Sequence, residues 1–319
     1  MKHVSILPLY DATLSSIDSS HQLFNRVNDF NKYTGKPSFY NVEIVGFHKR
    51  TDLGKYQINC DKTIAEVKET DLIVLPLLCG NFKKAIDENE KYTDWLISHY
   101  DKGAEIVCLC VGSFYLASTG LLDGKKCAVH WAAKNEFAEL FPKVTVVDNT
   151  IITDERGIYT CAGGYSYLNL ILYILEKQLG KEISILASKM FEIDIERKSQ
   201  NPFMMFIGQK KHGDETILKA QEWIENNPTE THSIENFCNK FGVGRRSFER
   251  RFKKCTGNSI TEYIQRVKVE FAKKQLETSH KTINEIVYET GYNDIDAFRK
   301  VFKKITDLSP LQYRKKYLT

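Results

Sequence analysis

One cysteine of this chain stands where a polypeptide can build a nucleophile. Cys110 follows the apolar run 106–109 and precedes Val111, Gly112 and a helical segment at 113–119. A strand, a Cys-x-Gly turn and a helix is the mechanical layout of a nucleophile elbow. The small Gly112 permits the sharp reversal, and the start of the next helix favours a thiolate. His130, twenty residues on, is the candidate base or orienting partner. The same residues also suit a plainer role, with Cys110 as a small buried apolar side chain and His130 as a hydrogen-bonded core histidine. The pattern leaves both open.

A second chemistry is electrostatic. From 240 to 274 there are 11 basic residues against 3 acidic ones, centred on the run GRRSFERRFKKC at 244–255. With Phe248 and Phe252 turned inward, Arg245, Arg246, Glu249 and Arg250 lie near the exposed face of the first two helical turns. Arg251, Lys253 and Lys254 flank that face. Arginine suits bidentate contact with guanine edges, whereas lysine and helix-end amides suit phosphates. A basic face that is merely solvated is the competing reading, and an internal repeat weakens it. At an offset of 50, Phe248, Phe252, Lys253, Lys254, Thr256, Ser259 and Tyr263 recur as Phe298, Phe302, Lys303, Lys304, Thr306, Ser309 and Tyr313. Just upstream the offset is 49, pairing Ile234, Phe237 and Gly242 with Ile283, Ile286 and Gly291. Each copy reads as a short helix, a glycine-containing turn and a helix carrying an aromatic i, i+4 pair. These are two helix-turn-helix units, joined by a long helix at 261–278.

The elements that position these residues fall into two regions. Short β-rich runs at 4–9, 41–47, 72–75, 106–109, 144–147 and 158–161 alternate with helical spacing at 18–33, 89–100, 113–119 and 165–179. Alternation of this kind predicts βαβ crossovers and a mostly parallel sheet covered on both faces. A further helix is read at 183–191, and residues 194–214 are polar and punctuated by Pro202, Gly208 and Gly213. From Glu215 onward no strand signal remains. The expected organisation is an α/β domain at 1–193, a linker at 194–213 and an all-α domain at 214–319.

Length and composition agree. A chain of 319 residues suits two domains, and 42% hydrophobic with 27% charged residues excludes a disordered or fibrous class. The net charge of +4 is unevenly placed: residues 214–319 hold 20 Lys+Arg against 15 Asp+Glu, and residues 1–213 hold 25 against 26. The basic excess belongs to the last third and points to an acidic partner for that third alone. Eight cysteines without a CxxC pair or zinc-ligand spacing argue against a metal site. With no secretory signal read at the start and no run of 18 apolar residues, the expectation is a cytoplasmic protein that does not span a membrane.

From residue 242 onward the chain resembles the AraC/XylS-type DNA-binding domain. The most specific part is Ile283–Ile286, Gly291-Tyr292, Phe298–Lys304 and Ser309–Arg314. The resemblance implies that both recognition helices enter successive major-groove segments of double-stranded DNA. Arg245, Arg246, Glu249, Arg250, Arg251 and Lys253 would serve in the first unit. In the second, Asp296, Arg299, Lys300 and Lys303 would serve, with Asp294 and Ala297 beside them. Gly244 stands at the helix N-cap where the family commonly has serine, at a cost of a few tenths of a kcal/mol.

LPLLCGNF, CVGSFYLASTGLLDG, HW and TCAGGYSYLNLILYILE resemble the ThiJ/PfpI domain, a flavodoxin-like, class-I glutamine-amidotransferase-like fold. In that order, with RKSQNPF at 197–203, the whole chain resembles GlxA-type AraC-family regulators. The enzymatic relatives place an acidic residue beside the cysteine, and alignment puts Gln22 there. Glutamine donates a hydrogen bond but exchanges no proton. The resemblance therefore implies a non-enzymatic regulator without cofactor. Its α/β domain would sense a small molecule or, through Cys110, redox state, and would form a homodimer; RNA polymerase is a further candidate partner. The rival is a cysteine-dependent hydrolase or glyoxalase-like enzyme fused to a DNA-binding module.

Overall fold

The computed structural model describes every residue except 148, 149, 196, 198, 231, 232 and 319. The chain divides into two compact units, Met1–Gln200 and Asn201–Thr319.

In the first unit, strand β1 (Lys2–Ile6) is followed by helix α1 (Leu14–Tyr33) and β2 (Tyr40–Gly46). The hairpin β3 (Arg50–Asp52) and β4 (Gln57–Asn59) leads to β5 (Lys62–Thr63), and β6 (Leu72–Leu75) returns to the centre. Helices α2 (Phe82–Asn89) and α3 (Thr93–Asp101) precede β7 (Glu105–Cys108) and α4 (Ser113–Ser118). Then come β8 (Lys126–Ala128), α5 (Lys134–Leu140), β9 (Thr145–Val147), β10 (Ile152–Glu155) and β11 (Ile158–Cys161). Helices α6 (Tyr167–Leu179) and α7 (Lys181–Met190) follow.

The main sheet has the order β10-β11-β7-β6-β1-β2-β5, and every pairing is parallel except β10 with β11. The inner strand β6 is wholly apolar and wholly buried, as a strand covered on both faces must be. The winding direction reverses at β1, which lies between β2 and β6. In open α/β sheets the crevice beyond the strand ends at such a reversal is where ligands bind. Cys110 sits at that end of the sheet.

Two local expectations need correction, and one strand was not expected. The run expected at 144–147 forms β9, which among the described residues pairs with β8 in a small separate sheet. One edge of the main sheet is β10, whose sequence ITDE, one apolar residue in four, gave no strand signal. The helix expected at 89–100 is interrupted by a 3-10 turn at Glu90–Tyr92. The buried Asn89 amide marks the break: it accepts from the Tyr10 amide and donates to the Tyr10 and Ala85 carbonyls.

Among the described residues the elements of the second unit are helical: α8 (Glu215–Asn226), α9 (Ile234–Phe241), α10 (Arg245–Thr256), α11 (Ile260–Thr278), α12 (Ile283–Glu289), α13 (Ile295–Thr306) and α14 (Pro310–Tyr317). The sequence repeat is a structural repeat. Phe252 packs edge-on against Tyr263 at 5.2 Å between ring centres, and Phe302 packs edge-on against Tyr313 at 5.5 Å. Thr256 and Thr306 each donate to the carbonyl four residues back at 2.8 Å, and Ser259 and Ser309 each cap the next helix.

Residues 201–210, within the expected linker, lie along this unit. Phe206 packs edge-on against Tyr263 at 4.9 Å, Gln221 donates to the Gln209 carbonyl at 2.9 Å, and Lys273 donates to the Met204 carbonyl. Gly208 makes the approach possible, since a Cβ there would lie 1.9 Å from the Tyr263 hydroxyl and 2.6 Å from the Glu225 carboxylate. Gly208→Ala is therefore expected to force the segment off the helices and to lower stability by about 1–3 kcal/mol in denaturant melts. An unchanged midpoint would mean that 206–209 do not pack there in solution.

Candidate functional site

The elbow expected from sequence is present. Leu109 hands over to a 3-10 turn, Cys110–Gly112, that runs directly into α4. Cys110 has φ of +50°, a left-handed conformation that a non-glycine residue holds only under constraint. Gly112 is obligatory on steric grounds, because a Cβ would meet the Pro76 carbonyl oxygen at 2.5 Å. The Cys110 amide donates to Cys161 Sγ at 3.2 Å.

The environment of the thiol is not that of an activated nucleophile. Cys110 is buried, and burial pushes its thiol up to about 11, against the pull of the Val111 and Gly163 amides aimed at Sγ. Burial likewise raises Cys108, Cys127 and Cys161 behind it. His130 is half-buried, and loss of solvent lowers its pKa. Its Nδ1 accepts from the Ala132 amide at 3.2 Å, and no hydrogen bond among the described residues joins it to Cys110.

Gln22 does not occupy the position beside the thiol. It is exposed on α1 and its amide donates to Asp18 at 2.6 Å. The acidic residue beside Cys79 and Gly80 is Asp11, which sequence reasoning passed over. It has φ of +65°, its carbonyl accepts from the Cys79 amide at 2.7 Å, and its carboxylate would lie 2.8 Å from a Cβ on Gly80. A Tyr-Asp pair directly after the first strand was the available signal. Among the described residues no cluster of three or more His, Cys, Asp or Glu side chains is placed to hold a metal ion.

The basic face is carried by α10. Gly244 is its N-cap and supplies no side-chain cap. Phe248 and Phe252 are buried, which turns Arg246 and Arg250 outward; no ion pair among the described residues involves either. Arg245 is exposed but engaged with Glu249 at 3.2 Å and Glu235 at 3.7 Å. Arg251, expected on the flank, instead closes a two-point ion pair with Asp214 at 2.6 and 2.8 Å, and that guanidinium lowers the Asp214 pKa. Lys253 is exposed.

The second unit differs. Asp294 caps α13 by accepting from the Asp296 and Ala297 amides. Arg299 pairs with Asp296 at 3.3 Å, and Lys300 and Lys303 are exposed. Asn284, Tyr288, Asn293, Asp296 and Arg299 line an open groove at the start of α13.

A DJ-1/PfpI family model matches residues 38–177, and a helix-turn-helix domain model matches residues 237–316. The chain joins a DJ-1/PfpI domain to an AraC-type helix-turn-helix domain. Among curated proteins it is similar to the HTH-type transcriptional regulator GbdR of Pseudomonas aeruginosa, 24% identical over 75% of this chain and 65% of that one. It is also similar to the HTH-type transcriptional regulator ArgR of the same organism, 28% identical over 66% and 64%. The chain thus spans just under two thirds of the length of these two relatives. Of solved structures, Drosophila melanogaster DJ-1beta superposes with a TM-score of 0.51 at 20% identity, over 60% of this chain and 98% of that one. A ThiJ/PfpI family protein from Pseudomonas syringae superposes at 0.50 with 16% identity, over 70% and 86%. These likenesses fix the fold of the DJ-1/PfpI domain.

Within that domain the elbow thiol is expected to react slowly. A thiol with a pKa of about 11 is about one part in a thousand thiolate at pH 8. Iodoacetamide followed by peptide mapping should label the exposed Cys79 first, and Cys110 labelling should keep rising with pH beyond 9. Cys110 labelling faster than Cys79 at pH 7 would contradict the buried, protonated state.

Proposed function

We propose that the chain is a sequence-specific DNA-binding transcriptional regulator whose DJ-1/PfpI domain senses a small molecule and forms a homodimer. The supporting observation is the duplicated helix-turn-helix unit, whose first recognition helix turns two unpaired arginines, Arg246 and Arg250, to solvent. Free guanidinium groups on the leading turns of such a helix are what base-edge and phosphate contacts require. Arg245, Glu249 and Lys253 border them. In the second unit Lys300 and Lys303 supply phosphate contacts, while Asp296 and Arg299 face the groove as a pair. Arg251 acts through the fold, by holding Asp214. A regulator of this kind works in the cytoplasm, bound to promoter DNA, with RNA polymerase as a candidate partner.

The DJ-1/PfpI domain carries no activity in this reading. A buried thiol with a raised pKa and no hydrogen bond to His130 lacks the activation that cysteine catalysis needs. Turnover of a 2-oxoaldehyde or amide that disappears in Cys110→Ser would establish the enzymatic alternative instead.

DNA fragments selected from a random pool provide the direct test. Arg246→Ala with Arg250→Ala is expected to weaken binding at least tenfold and to reduce the slope of log affinity against log salt by about 1–2. Unchanged affinity and slope would remove α10 from the DNA interface.

A further inference from the structure

The internal repeat keeps the frame of the two recognition helices and reverses their leading charge. At the offset of 50, Arg246 corresponds to Asp296 and Glu249 to Arg299. Positions three residues apart share one face of a helix. The buried Phe248 and Phe298 turn that face outward in both copies. The first helix therefore leads with a cation and carries a carboxylate one turn later, and the second leads with a carboxylate and carries the cation.

The fold makes little use of the Asp296 carboxylate. Asp294 already caps α13, accepting from the Asp296 and Ala297 amides at 2.9 and 3.0 Å. The Asp296 side chain is 77% exposed, and among the described residues its carboxylate is paired with Arg299 at 3.3 Å. An exposed pair of this kind adds little to stability. Both side chains border the open groove shared with Asn284, Tyr288 and Asn293.

An ionised carboxylate only accepts hydrogen bonds, so on duplex DNA it needs a donor. Phosphate oxygens offer none. In the major groove guanine N7 and O6 and thymine O4 are acceptors, whereas cytosine N4 and adenine N6 are donors. Adenine sets its N7 acceptor beside that amine, where it repels the second carboxylate oxygen; cytosine presents the amine without such a neighbour. Arg299 lies about 4.5 Å further along the helix axis, close to one base-pair step of about 3.4 Å. A guanidinium there suits a guanine edge in the adjoining pair. Lys300 and Lys303, exposed on the same helix, supply the attraction to phosphates that Asp296 withholds.

We propose that Asp296 is a specificity-determining residue of the second unit: its carboxylate accepts from cytosine N4, and Arg299 donates to a guanine of the adjoining base pair. This deepens the regulator reading and rests on it. Two helices built on one frame then read opposite edges. The first leads with Arg246 and selects an acceptor edge, and the second leads with Asp296 and selects a donor edge.

Selection of duplexes from a random pool by the full-length protein, with sequencing of the bound fraction, tests the assignment. The wild-type motif should contain one position at which cytosine is preferred about fivefold or more. Asp296→Ala should erase that preference and leave the rest of the motif unchanged. Asp296→Asn should move it from cytosine to adenine, whose N6 and N7 a side-chain amide pairs with together. Thermal melts of both variants should match wild type, because Asp294 keeps the cap. A motif identical in wild type and Asp296→Ala overturns the assignment. So does an affinity change spread evenly over all positions, which is the effect of charge alone. In both cases the enriched motif leaves the regulator reading standing. A pool from which nothing is enriched overturns that reading, and the assignment with it.

Discussion

Everything the helical unit presents to solvent depends on one aromatic contact made twice. Phe252 against Tyr263, and Phe302 against Tyr313, fix each recognition helix by its last turn to the helix that follows it. Edge-to-face pairs of this kind favour one geometry over its alternatives by about 0.5–1.5 kcal/mol beyond area burial. Each tyrosine hydroxyl is then tied to a carboxylate, Tyr263 to Glu225 and Tyr313 to Glu277, which sets the rotation of α11 and α14. Once Phe248 and Phe252 point inward at i, i+4, helical geometry leaves no choice for the residues between them. Arg246 and Arg250 point outward because the phenylalanines do not.

Against that shared frame, the differences between the copies are informative. The first recognition helix begins at a bare Gly244 and carries arginine on its leading turns; the second begins at Asp294 with Asp296 beside it. A carboxylate cap satisfies helix-end amides and complements the helix dipole, but it also repels a phosphate backbone. The first helix therefore starts with basic charge and no side-chain cap, and the second with a carboxylate that fixes its start. The two C-caps differ in the same sense: Gly257 needs no partner, whereas Asp307 is held in place by Asn201.

The sequence made some of this legible and hid the rest for physical reasons. Helix-turn-helix units show themselves through residue types that only one backbone tolerates, such as the left-handed glycines and the spaced phenylalanines. The inner strands show themselves through unbroken apolar runs. The edge strand β10 is hidden because three of its four residues, ITDE, are polar. The break at Asn89 is hidden because a buried amide that satisfies Tyr10 looks, in one dimension, like any other helix residue. Gln22 is placed at the elbow by alignment to the family, whereas in the fold it is exposed on α1 and bonded to Asp18. Arg251 belongs with its neighbours by composition, and only the fold shows it facing Asp214.

The elbow can now be weighed as a physical object. Its positive φ and its crowded Gly112 are the costs of lifting a side chain above a strand end, and catalysis is the usual reason to maintain them. Here the lifted thiol is covered, protonated and held by the Val111 and Gly163 amides, with a cysteine at its back. Beside it, Arg197 donates to Ser166, and Gln200 bonds the backbone of Val129 and Trp131 on either side of His130. In this chain the geometry of an elbow coexists with a thiol that burial raises, so the shape of the turn and the reactivity of Cys110 are separable properties.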